Sequence, residues 1–193
     1  MTEIWLVRHG ETEWNREQRF MGQQDIPLNR AGLQQAADLA VSLRGQHFNA
    51  LYSSDLLRAR QTAEALAAAL KLPLRLDARL REVMLGVWQG QTHADVQARY
   101  PLQWAERYAN PPDFRPPAGE TIAEMAARAY PVLDEIAAAY PRGLVLLVSH
   151  GILLAALICR ARGLPLALIY AQNPANARPE IIDWPPEKLE NLS

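Results

Sequence analysis

Two short segments limit what this chain can fold into. In LVRHGETEWN (Leu6–Asn15) an apolar run stops abruptly at Arg8-His9-Gly10. In LVLLVSHG (Leu144–Gly151), far along the chain, another stops at Ser149-His150-Gly151. Apolar runs this short and this continuous suit strands buried on both faces, as in a parallel sheet. Ile4–Val7, Ala50–Tyr52 and Leu144–Val148 are such runs; Leu72–Asp77 alternates and reads as a further strand, Ile181–Trp184 as a weaker one.

Helical patterns lie between them. NRAGLQQAADLAVSL puts Leu33, Ala36, Ala37, Ala40 and Leu43 on one stripe, with Asn29 as N-cap. Asp55–Leu70 is rich in strong helix formers. Thr121 and Glu124 form a capping-box signature before a helix in which Pro131 predicts a kink or break. ILLAALICRARG follows His150 and stops at Gly163. Thr92 to about Tyr108 reads as helix, which NPPDFRPPAGE then breaks.

This alternation predicts an α/β fold: three layers, α/β/α, around a mostly parallel central sheet. At 193 residues, 49% of them apolar, one domain over 1–193 with a substantial core is expected. Residues 87–119 are expected to form a small, largely helical, cap-like excursion over the active site. The polar, proline-broken tail DWPPEKLENLS is expected to be loose.

A net charge of −1 with no basic stripe argues against a nucleic-acid partner. A lone cysteine, Cys159, rules out an intramolecular disulfide and fits a reducing compartment. MTEIWLVRHG has no basic leader, so no signal peptide is expected. The longest apolar stretch, GILLAALIC, falls far short of the roughly 20 residues that span a bilayer. The expectation is a soluble cytoplasmic protein with no membrane partner. Oligomeric state is left open, a homodimer included.

Ligands of open α/β sheets bind beyond the carboxyl ends of the strands. Arg8-His9 and Ser149-His150 both sit there, and Arg58 opens the helix after Ala50–Tyr52. If the strands are neighbours, both imidazoles meet over one point. Guanidinium forks match phosphate oxygens, and a helix N-terminus adds backbone N–H donors. Histidine is a competent nucleophile at neutral pH. Two histidines, two arginines and a carboxylate make a phosphoryl-transfer set.

At these residues the chain resembles the histidine phosphatase superfamily, the phosphoglycerate-mutase-like proteins. LVRHGETEWN, RFMGQQDIPLNRAG, LYSSDLLRARQTAEAL, LREVMLGVWQGQT, PAGET and VSHG occur in the family's order over most of the chain. The resemblance implies that His9 is the nucleophile, that Arg8, Arg58 and His150 complete the phosphate pocket, and that Glu82 is the proton donor. It also implies phosphate contact by Asn15 and a pocket lined near Gly22, Gln23 and Gly151. It implies no metal and no dissociable cofactor. Asp77 and Glu120 are nearby alternatives for the acid.

The mutases of this family carry a longer insertion with extra basic residues. Here Val87–Gly119 holds only His93, Arg99, Arg107 and Arg115. The pattern therefore resembles the small phosphatases, α-ribazole phosphatase and broad-specificity types, acting on a small phosphorylated metabolite. The rival readings are a phosphoglycerate mutase, a metal-dependent hydrolase (no HxH or HExxH spacing supports it) and an inactive phosphate binder. His47 and His93 read as surface residues, Glu11 and Glu13 as solvated or structural, and Cys159 as core. Phe20, Met21, Met84, Trp88 and Trp104 read as packing in preference to a substrate mouth.

Overall fold

The computed structural model describes residues 1–186. Five strands, β1 (Thr2–Arg8), β2 (Ala50–Ser53), β3 (Leu74–Leu76), β4 (Leu144–Ser149) and β5 (Pro179–Trp184), form one sheet in the order β3-β2-β4-β1-β5. Neighbours run parallel except β5, which pairs antiparallel with β1 at one edge. The expected α/β class with a mostly parallel sheet is what forms.

Because side chains alternate along a strand, each buried strand feeds two cores. Val7, Leu51, Leu146 and Val148 meet α2 (Arg30–Ser42) and α3 (Leu57–Leu70) through Leu39, Ala40, Leu43, Ala59, Ala63 and Leu66. Ile4, Leu6, Val145 and Leu147 face the other way, toward α6 (Ile122–Ala139) and α7 (Gly151–Ala161). Three layers result. Cys159 is buried in α7. No helix among the described residues is long and apolar enough to cross a membrane.

Local chemistry sets most helix ends. Thr12 with Asn15 boxes the start of the short α1 (Glu13–Arg16), Asn29 caps α2 by accepting from the Gly32 amide, and Thr121 with Glu124 forms the expected capping box of α6. The stripe on α2 is shifted: Ala36, Ala40 and Leu43 are buried as expected, Gly32 and Leu39 join them, and Leu33 and Ala37 are exposed. Gly32 sits against the Glu11 backbone, which rotates the inward face toward it. Helix α3 starts at Leu57, later than expected, because Asp55 pairs with Arg81 while the Asp25 carboxylate accepts from the Leu57 amide.

Helix α6 continues unbroken through Pro131. Pro131 is exposed, and so is Ala127, whose carbonyl loses its helical partner there, so water can satisfy it. The helix expected over Thr92–Tyr108 divides into α4 (His93–Arg99) and α5 (Pro101–Ala109), since Pro101 suits a first helical position and keeps Tyr100 out of helical geometry. A third cluster of Phe20, Trp88, Val96 and Phe114 ties this region to the loop after β1.

The expected loose tail begins too early. Asp183 and Trp184 belong to β5, where the Trp184 indole donates to Asp134 of α6 at 2.7 Å. The rest of that tail, from 187 on, lies outside the described residues.

Leu146 is fully buried at the centre of the sheet. Leu146→Ala is expected to destabilise the protein by about 2–5 kcal/mol, read as a lower denaturant midpoint with an unchanged m-value.

Candidate active site

The site begins with strand register. β1 and β4 are adjacent and parallel, with Arg8 opposite Ser149, and the His9 amide donates to the Ser149 carbonyl at 3.0 Å. Both chains leave the sheet together, and the His9 and His150 rings come to rest 5.4 Å apart between centroids. Arg58, in the first turn of α3, enters from the neighbouring β2 side and is fully buried. One turn on, the Thr62 hydroxyl accepts from the Gly10 amide at 3.0 Å and donates to the Arg58 carbonyl. It thereby locks the His9-Gly10 turn onto α3.

His9 Nδ1 lies 2.7 Å from the Gly10 carbonyl oxygen. A carbonyl only accepts, so Nδ1 carries the proton and Nε2 keeps its lone pair. Burial, reinforced by the charges of Arg58 and Arg8, holds the His9 pKa well below the ordinary imidazole value. Burial does the same to His150, with Arg58 next. His150 Nε2 lies 2.8 Å from the Ser54 hydroxyl, while its buried Nδ1 has no partner among the described residues.

The arginines are held by backbone, leaving further donors unspent. Arg58 donates to the carbonyls of Gln24 at 2.7 Å and Gly22 at 2.8 Å, and Arg8 donates to Pro174 at 3.0 Å. The Nε of each is buried without a partner. Burial lowers the Arg58 pKa to about 10 and that of Arg8 in the same direction. Gly22 adopts a positive φ of 51°, which L side chains rarely take, and so turns its carbonyl toward Arg58. At Gly151 a Cβ would collide with the Asn173 side chain and crowd the Arg8 guanidinium at 3.4 Å.

Glu82 lies in irregular chain after β3 that folds against the start of α7, and its carboxylate accepts from three amides. Oε1 takes Val83 at 2.9 Å and Leu153 at 3.1 Å; Oε2 takes Ile152 at 3.0 Å. It therefore supplies the cap that His150, the N-cap residue, does not. A cavity of about 280 Å³ opens here, walled by Arg8, His9, Asn15, Gly22, Arg58, Glu82 and Gly151. Gln23 and His150 lie outside the wall: Gln23 donates to the Glu82 carbonyl at 3.0 Å, and His150 is fully buried. Asn15 is on the wall, but its side-chain oxygen serves the Thr12 capping box. Among the described residues no three His, Cys, Asp or Glu side chains are placed to hold a metal ion.

A family model described as the histidine phosphatase superfamily (branch 1) matches residues 4–192. The chain belongs to this superfamily. Curated relatives called probable phosphoglycerate mutase GpmB are similar to it. That of Proteus mirabilis is 38% identical over 165 residues, covering 86% of this chain and 77% of the relative. That of Escherichia coli (strain K12 / DH10B) is 39% identical over 166 residues, with the same shares covered. Among solved structures, mycobacterial glucosyl-3-phosphoglycerate phosphatase with VO3 gives a TM-score of 0.85 at 36% identity, covering 93% of this chain and 91% of that one. A putative alpha-ribazole-5'-P phosphatase of Escherichia coli gives 0.85 at 26% identity, covering 93% and 89%. This histidine phosphatase is an enzyme by family and by neighbours, as its motifs led one to expect.

The rest of the wall was less legible. His93 is at the surface, as expected, yet its ring lies against Phe20, with centroids 4.3 Å apart, and lines the cavity. Phe20 and Met21 line it too, whereas Trp88 is core and Met84 and Trp104 stay off the wall. Arg107 lies over the rings of Phe20 at 5.2 Å and Tyr170 at 4.6 Å and faces the same space. No local motif announces it. Of the alternative acids, Asp77 is bound to Arg79 away from the cavity, while Glu120 reaches the wall but pairs with Arg128.

Two outcomes follow from this geometry. Inorganic phosphate is expected to raise the melting temperature progressively with concentration, and Arg58→Met to remove that shift; an undiminished shift would take Arg58 out of the anion site. The depressed pKa values of His9 and His150 mean that the unfolded chain takes up protons first. In phosphate-free buffer, stability should therefore fall as pH drops below about 6.5, and denaturant midpoints for His9→Gln should fall less steeply than for the parent.

Proposed function

We propose that this enzyme hydrolyses the phosphomonoester of a small metabolite through a phosphohistidine at His9. The observation that carries the reading is the unprotonated Nε2 of a buried His9 beside two desolvated guanidinium groups, with buried N–H donors unpartnered. A phosphate dianion supplies the charge and the acceptors this arrangement lacks.

His9 Nε2 attacks phosphorus, and the bond from phosphorus to the alcohol oxygen breaks. Arg8 and Arg58 neutralise the non-bridging oxygens, with His150 alongside. Protonated Glu82 gives its proton to the departing oxygen. We assign that proton to Oε2, which accepts one amide where Oε1 accepts two. Water then attacks the phosphohistidine and loses a proton to the Glu82 carboxylate; the nitrogen–phosphorus bond breaks and inorganic phosphate leaves. Asn15, Gly22 and Gly151 shape the pocket around the phosphate, and Gln23 supports it from behind.

Hydrolysis is preferred to mutase chemistry because few cations stand over the site. In 87–119, which we take as a cap on a single domain, Arg115 is paired with Glu124, Arg99 reaches Gln91, and Arg107 is the arginine on the cavity wall. The names of the curated relatives support a second reading, phosphoglycerate mutase. His9→Ala is expected to lose about 10³-fold or more of the kcat/KM on p-nitrophenyl phosphate. The parent enzyme is expected to release phosphate from 3-phosphoglycerate without accumulating the 2-isomer. Full activity in His9→Ala would end the phosphohistidine reading; rapid interconversion of phosphoglycerates would replace hydrolase with mutase.

A further inference from the structure

An ion pair stands beside Glu82 that the chemistry above does not use. Arg128, in α6, and Glu120, just before that helix, meet at 2.6 Å with both side chains about three-quarters or more buried, at 23% and 19% exposure. Each also holds backbone of the irregular segment that carries Glu82. Arg128 Nη2 donates to the Glu82 carbonyl at 2.9 Å, and Nη1 donates to the Arg79 carbonyl at 2.7 Å. Glu120 Oε1 accepts from the Met84 amide at 2.9 Å. Backbone on both sides of the Glu82 side chain is thus pinned to α6, while its carboxylate is pinned to α7.

We propose that the Arg128–Glu120 pair is a positioning device for the Glu82 acid–base, setting how far its carboxyl reaches toward the leaving oxygen. The segment 81–85 has no helix or strand ladder of its own to hold it. A planar guanidinium fork serves two carbonyls and a carboxylate at once, a geometry that a lysine ammonium does not reproduce. Neither oxygen of Glu120 is free for acid work, since Oε2 accepts from Arg128 Nε at 3.2 Å and Oε1 from Arg128 and Met84. This inference rests on Glu82 being the proton donor.

The test compares kcat/KM for p-nitrophenyl phosphate, whose leaving group departs without a proton, with that for glycerol 2-phosphate, whose alkoxide needs one. A general acid contributes about 10²–10⁴-fold where a proton is needed. Arg128→Met is expected to lower the glycerol phosphate value at least about tenfold more than the nitrophenyl value, with an unchanged inhibition constant for inorganic phosphate. Arg128→Lys and Glu120→Gln should show the same bias to a smaller degree, and they decide the matter if Arg128→Met does not fold. Equal losses on both substrates, or a weakened phosphate constant, would overturn the positioning role. Glu82→Gln separates the two layers. If it shows no leaving-group bias, the acid assignment itself fails; if it does and the Arg128 and Glu120 variants do not, only this inference fails.

Discussion

The parallel pairing of β1 with β4 is the contact on which the site depends. Arg8 stands opposite Ser149, so the residues that follow, His9 and His150, leave the sheet at the same level and on the same end. A slip of one residue in that register would send alternate side chains to opposite faces and separate the rings. The register is strongly specified because both faces of both strands are buried: Leu6 and Leu147 against α6 and α7, Val7 and Val148 against α2 and α3. The geometry of the candidate site is a by-product of core packing.

The cluster so assembled concentrates positive charge in a desolvated place. Arg58 is fully buried and Arg8 partly so, with Glu82 the first acid to offset either. The fold holds them with carbonyls of Gly22, Gln24 and Pro174 and leaves other donors over. Backbone oxygens orient a guanidinium without cancelling its charge. The same solution recurs at Glu82, where amides of α7 orient a carboxylate. Groups prealigned in this way need little reorganisation when charge develops on a transferring phosphoryl group.

Features that act over a few residues were readable in the chain. Asn29, Thr121 with Glu124, the strand runs and the order of the motifs all turned out as local chemistry required. Features that depend on what lies opposite were not. Leu33 looked as apolar as Leu39, yet only a partner surface decides which face of α2 turns inward. His93 and Arg107 carry no motif, and they join the site because Phe20 and Tyr170 stand across from them. Pro131 leaves α6 unbroken for a related reason: its effect depends on whether the freed carbonyl faces solvent.

The amino-acid order alone, then, established the strands, the caps and the family, because each is written in contiguous residues. The folded arrangement alone established that two imidazoles share one point, that Glu82 is the carboxylate held at the mouth of α7 while Glu120 is tied to Arg128, and which side chains wall the cavity. Those are distances between residues remote in the chain, and they exist only once sheet register and helix packing have been chosen together.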